Sequence, residues 1–174
     1  MSDSTVAWVG FAGGVGGAVI GAVLGALAGV WYARYAGRKQ SVLTLLDTYV
    51  SPEFFTVRAE TSEIKSAWYA GDRTVLDPFI SHVSATAEPR LSNGMTRHQN
   101  LSWLLHFYAG LSVRCEEKLV DRELLKRVFK PHYAWYREFF MAFDEDYVRR
   151  MPASWQIPFW MRELRNLDRL FGPW

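Results

Sequence analysis

Residues 6–33 contain no charged side chain. The nearest charges are Asp3 and Arg34, and most of the chain's 13 glycines fall in this run. A helix rises about 1.5 Å per residue, so the run would reach roughly 40 Å, enough to cross a hydrocarbon core of about 30 Å with some tilt. The run is too long for the apolar part of a cleaved signal peptide, and the leader Met1-Ser2-Asp3-Ser4-Thr5 has no positive charge, although Ala26-Leu27-Ala28 has the look of a cleavage site. The expectation is a membrane anchor.

Every fourth residue of the run tells more. Gly13, Gly17, Gly21, Gly25 and Gly29 form one row, continued by Ala33 and Gly37, and Gly10, Gly14, Ala18, Ala22 and Ala26 form another. The remaining two rows are bulkier, with Val15, Val19, Val23 and Leu27 in one and Ile20 and Leu24 in the other. A helix turns about 100° per residue, so a four-residue step drifts only about 40° and each row becomes a slowly spiralling stripe. Small stripes let backbones approach closely, which drives helix association in lipid, where the hydrophobic effect supplies none. A repeat longer than 3.6 residues gives a right-handed crossing. Two adjacent small faces suit two neighbours, and such a heterologous contact closes into a ring. The expected packing residues are therefore Gly10, Gly13, Gly14, Gly17, Gly21, Gly25 and Gly29. The expected partners are further copies of the chain and the bilayer, with docking against other membrane subunits as the alternative.

Arg34, Arg38 and Lys39 follow the run, which by the positive-inside rule places the N-terminus outside and the remainder in the cytoplasm. Trp8 at one end, and Trp31 and Tyr32 at the other, are expected at the membrane interfaces. A net charge of +2 is too balanced for a nucleic-acid surface, and the single cysteine, Cys115, excludes an intrachain disulfide. The expected organisation is all-α. Residues 1–37 form the tail and a single glycine-rich transmembrane helix, and residues 38–174 form a cytoplasmic helical bundle.

Within the bundle, the first helix is expected to run on to Tyr49. Ser51-Pro52-Glu53 supplies a cap, a first-turn proline and an early acid for a helix ending at Gly71. Asp77-Pro78 opens a shorter helix to about residue 84, and residues 86–94 read as a loop. The central helix spans about residues 96–119, with Leu101, Leu104, Leu105, Tyr108, Leu111 and Cys115 at helical spacing. Asp121 caps the next helix, Pro131 kinks or divides it, and Asp144-Glu145-Asp146 ends it. A last helix begins at Pro158, with Trp160, Leu164, Leu167 and Phe171 inward and Arg162, Arg165 and Arg169 on another face; three arginines are few for a contact with lipid headgroups, and packing of Trp160 and Phe171 in the bundle is the favoured use of this helix.

Motifs for chemistry are sparse. No glycine loop is placed to cradle phosphate, and His82, His98, His106 and His132 lack partners at metal-ligand spacing, so neither metal nor cofactor is expected. Glu60 and Glu63 read as a solvated face. The one pair with catalytic character is Arg127 and His132, an Arg-x-x-x-x-His spacing in which imidazole moves a proton and guanidinium holds phosphate charge. The competing reading pairs Arg127 with Glu123 and leaves His132 at the Pro131 kink.

Residues 41–60 and 97–136 carry Thr44-Leu45-Leu46, Ser51-Pro52-Glu53, Asn100-Leu101-Ser102-Trp103-Leu104-Leu105 and Leu119-Val120-Asp121-Arg122-Glu123-Leu124-Leu125. This text resembles a large bacterial family that joins one N-terminal membrane helix to a cytoplasmic helical domain. The layout is also similar to that of the accessory proteins of type VI-B CRISPR systems, whose domain resembles a HEPN (higher-eukaryote-and-prokaryote nucleotide-binding) ribonuclease and which assemble into ring-shaped pores. The resemblance implies a single-pass protein of the bacterial cytoplasmic membrane that forms a pore or depolarises the membrane in defence. A membrane-tethered HEPN-like ribonuclease is a further alternative it raises.

Overall fold

The structure, a computed structural model, describes the backbone of residues 3–80, 90–91 and 93–174, and side-chain surroundings within those spans from residue 22 onward. All regular structure among the described residues is helical. The elements in chain order are α1 (Asp3–Val50), α2 (Pro52–Tyr69), a 3-10 turn (Thr74–Leu76), α3 (Asp77–Ile80), α4 (Arg97–Glu116), α5 (Arg122–Arg150) and α6 (Phe159–Phe171).

α1 is one uninterrupted helix of 48 residues, so no joint separates the apolar run from the bundle. Only its last turns belong to the core, where Val42, Leu45 and Tyr49 are buried. From Ala22 to Arg38 every residue is exposed. Among the described residues no helix is long and apolar enough to cross a membrane. Most of the run at residues 6–33 precedes residue 22 and so lies outside the residues whose side chains are described.

The local signals act where expected. Ser51 caps α2, its Oγ accepting from the Phe54 N–H at 3.2 Å, with Pro52 in the first turn. The helix ends beside Gly71, whose φ of 102° is costly for any residue with a Cβ. α4 starts on a reciprocal capping box. The Gln99 N–H donates to Thr96 Oγ1 at 3.1 Å, and the Thr96 N–H donates to Gln99 Oε1 at 2.9 Å. The Asp121 carboxylate accepts from the Leu124 N–H at 2.9 Å and caps α5.

At Pro131 the first of the two alternatives holds, since α5 passes through it as one helix rather than two. The expected end at Asp144-Glu145-Asp146 is corrected: α5 continues to Arg150. Tertiary pairing explains that difference. Asp144 is buried and takes a two-pronged hydrogen bond from Arg165 at 2.7 and 3.1 Å, while Asp146 meets Arg149 at 3.0 Å and Arg73 at 3.6 Å. Carboxylates neutralised in this way continue a helix rather than stop it. α6 packs as expected, with Trp160 and Phe171 buried, and its arginines have partners in the bundle. Arg165 is held by Asp144, Arg162 by Glu163 at 3.0 Å, and Arg169 donates to Asn166 Oδ1, so all three are engaged within the bundle. Only four residues of the helix opened by Asp77-Pro78 are described, and His82 lies outside the described residues.

The core is unusually aromatic. Tyr108, fully buried in α4, lies edge-on to Tyr133 at 5.3 Å and Phe140 at 5.8 Å, and its hydroxyl shares a 3.2 Å hydrogen bond with that of Tyr49. α6 closes the other side. The buried Glu163 carboxylate accepts from Ser112 Oγ at 3.0 Å and from Asn166 Nδ2 at 3.2 Å. A buried carboxylate without such donors would be severely destabilising.

Candidate functional site

Two parts of the molecule hold the residues singled out by sequence: the stretch of α1 that leaves the bundle, and the first half of α5 beside it. The two helices run alongside each other in the same direction. The Asp121 N–H meets the Arg38 carbonyl at 3.3 Å, and farther along the His132 ring lies 4.9 Å from that of Tyr49. The start of α5 therefore sits at the point where α1 leaves the bundle.

On the departing stretch, Gly25 and Gly29 face open space, as does Gly37. A Cβ built on any of them meets nothing within 4 Å. Nothing inside the folded chain requires glycine there. The bulky neighbours are equally uncovered, with Leu24 61% and Leu27 62% exposed. Trp31 stacks on Tyr35 at 5.7 Å, and the Lys39 ammonium lies 4.4 Å over the Tyr35 ring. Tyr32, Arg34 and Arg38 are exposed around the same turns. Trp8, Gly10, Gly13, Gly14, Gly17 and Gly21 lie outside the residues whose surroundings are described.

Arg127 and His132 line different clefts. Five residues along a continuous helix turn it by about 500°, leaving two side chains roughly 140° apart. His132 lines a cleft of about 500 Å³ with Tyr49, Phe55, Arg58, Ser62 and Tyr136. Arg127 lines another, of about 420 Å³, with Lys126, Lys130, Ala134 and Trp174, and Pro131 borders both. Burial lowers the His132 pKa, and the nearby Arg58 charge lowers it further, so the imidazole is neutral near pH 7. Nor does Arg127 form an ion pair with Glu123 among the described residues.

The His132 cleft contains a group that sequence reading passed over. The Arg58 guanidinium sits 4.3 Å over the Tyr49 ring and 5.4 Å from that of Phe55. The Tyr136 hydroxyl donates to the Arg58 carbonyl at 3.0 Å and contacts Ser62 Oγ at 3.1 Å. A weak signal was present, since Arg58 is the only cation between Lys39 and Lys65. Burial raises the Tyr136 pKa, which keeps the hydroxyl protonated as a donor. Cys115, half-buried in a cleft also lined by Arg122 and Asn166, has its thiol pKa raised by burial. Among the described residues no cluster of His, Cys, Asp or Glu is arranged to hold a metal.

The charges differ between the two ends of the bundle. Far from the root of α1 most cations are paired, Arg97 with Asp72 at 3.1 Å, Arg150 with Asp77, and Arg73 and Arg149 with Asp146, while Arg90 donates to the Gly94 carbonyl. Near the root, Arg34, Arg38, Lys118, Arg122, Lys126 and Arg127 have no ion pair among the described residues.

Comparison of the chain with protein-family models, with curated proteins and with solved structures finds no match.

Proposed function

We propose that the chain is a single-pass membrane protein whose copies associate through the glycine rows of α1, with the helical bundle as a cytoplasmic collar. The observation that carries this reading is the open space at Gly25, Gly29 and Gly37. Glycine in a helix costs about 0.8–1 kcal/mol relative to alanine at each position. No contact inside one copy offsets that cost at these sites, whereas close approach of another helix backbone does. The unbroken run of α1 into the core supports a rigid link, so that packing of the anchors would set the arrangement of the collars.

In this reading a ring of anchors leaves a conduit lined by small side chains, and its opening depolarises the bacterial cytoplasmic membrane, a role suited to defence. The same bare glycine face would also serve docking against foreign membrane subunits. The test is reconstitution of the full chain alone in nanodiscs, with mass photometry for copy number and ion flux across vesicles for conduction. Discrete oligomers of the pure chain support self-association. A strictly monomeric particle refutes it, and co-purification of other membrane proteins at fixed stoichiometry replaces it with the accessory-subunit reading.

A further inference from the structure

The end of the bundle from which α1 emerges has a composition unlike the rest of its surface. α4 ends there in a tight turn. The Lys118 N–H donates to the Cys115 carbonyl at 3.1 Å and the Leu119 N–H to the Arg114 carbonyl at 2.9 Å, with Lys118 at φ 56°. This left-handed closure presents Leu119 outward, 56% exposed, with Lys118 before it and Arg122 after it. Two residues beyond Leu119, Asp121 touches Arg38 of α1. Along α5, Arg122 and Lys126 lie one turn apart, and Arg127 is close enough to Lys39 to act on its charge. The acids of this end are few and partly engaged. Asp121 caps α5, and Glu116 accepts from Asn166 at 3.0 Å, leaving Glu117 and Glu123.

We propose that this end of the bundle is a seat for acidic phospholipid headgroups, with Leu119 set into the headgroup layer between Lys118 and Arg122. The inference rests on reading α1 as an anchor, and it adds a second, electrostatic contact made by the folded domain itself. Cations left unpaired by their own fold, grouped around an exposed aliphatic tip and beside an uncovered apolar helix, match an anionic surface with an apolar layer beneath. The opposite end, where most cations are held by carboxylates, offers a weaker match. Docking would hold the collar flat against the membrane, and loss of acidic lipid would release it without releasing the anchor.

The experiment uses the full chain with Leu119→Cys in a Cys115→Ser background, carrying an environment-sensitive fluorophore at position 119. It is reconstituted into nanodiscs of phosphatidylcholine with or without phosphatidylglycerol. In acidic discs the emission should shift to the blue and be quenched by spin-labelled lipid. Neutral discs or high salt should abolish both effects. The Arg122→Gln/Lys126→Gln/Arg127→Gln variant should lower the docked-to-undocked ratio about five-fold per cation removed. The comparison of lipids in the chain with those cations intact stands even if that variant folds poorly. Identical emission in acidic and neutral discs overturns the proposal, as does protection of the label by an RNA oligomer but not by acidic lipid. Flotation after alkaline carbonate reads the anchor separately. A resistant chain with an unresponsive label refutes this surface and leaves the anchor, whereas a carbonate-labile chain whose label still responds removes the anchor and leaves the surface.

Discussion

Replacing Gly25 and Gly29 by leucine separates what glycine does within one copy from what it does between copies, because the two effects have opposite signs. Within one copy, a Cβ at either site meets nothing within 4 Å, so the larger side chain encounters no obstacle. Leucine is close to alanine in helix propensity, and each substitution should stabilise the local helix by about 0.8 kcal/mol. The pair then gives about 1.6 kcal/mol, roughly a fifteen-fold smaller local opening constant, measurable as slower amide exchange around Ala26 and Ala28. Between copies, a leucine forced into a backbone contact costs about 1–3 kcal/mol, a factor of about 5 to 150 in self-association. The assay is fluorescence energy transfer between labelled copies on dilution with detergent or lipid, with Leu27→Met on a bulky row as the control. The expected outcome is slower exchange together with weaker assembly in Gly25→Leu/Gly29→Leu, and unchanged assembly in the control. A double variant that exchanges more slowly yet assembles as tightly as the parent would refute the reasoning, because it would show that no backbone contact occupies that face.

Other perturbations probe the bundle. Leu104, fully buried in α4, should cost about 2–5 kcal/mol on truncation to alanine, read as a lower urea midpoint with an unchanged slope. Asp144→Ala leaves Arg165 without its carboxylate; because Arg165 is 41% exposed at its side chain, water recovers part of the loss and about 1–3 kcal/mol is expected. Burial pushes the Glu163 carboxyl up, but hydrogen bonds from Arg162, Ser112 and Asn166 outweigh it and hold the pKa below the ordinary value. Its contribution is therefore present above the unfolded value of about 4.3 and lost as pH falls through the folded one, so Glu163→Gln should flatten that part of the stability curve measured in urea. The lowered His132 pKa has the same sign. Its stabilising contribution is complete above about pH 6.5 and lost on acidification through the folded value, and NMR titration should find that value below about 6.5, with the slope absent in His132→Gln.

The helix boundaries that could be read in advance are those set by short-range chemistry. Ser51-Pro52 and Asp121 satisfy orphan N–H groups within three residues, and Gly71 supplies a positive φ, so neighbouring residues alone decide these ends. The far end of α5 could not be read that way. Asp144 and Asp146 look like a stop until Arg165 and Arg73, 21 residues ahead and 73 behind, are folded against them. The Arg127 and His132 pair is divided between two clefts for a related reason. Its spacing suggested proximity, but a helix that runs unbroken through Pro131 turns the two side chains into different clefts. The basic end of the bundle was only partly visible. Arg34, Arg38 and Lys39 stand together in the chain, while Lys118, Arg122, Lys126 and Arg127 join them only because α5 starts beside the root of α1.

By itself the amino-acid sequence determined the helical class, the caps, the inward stripes of α4 and α6, and the row of small residues along α1. Each depends on a period or a neighbour and needs no knowledge of what lies across the fold. Only the tertiary structure decided which charges are spent inside the bundle and which are left over at one end, and that Gly25 and Gly29 touch nothing within a single copy. Pairing energies depend on distance through space, and residues far apart along the chain acquire that distance only when the helices pack.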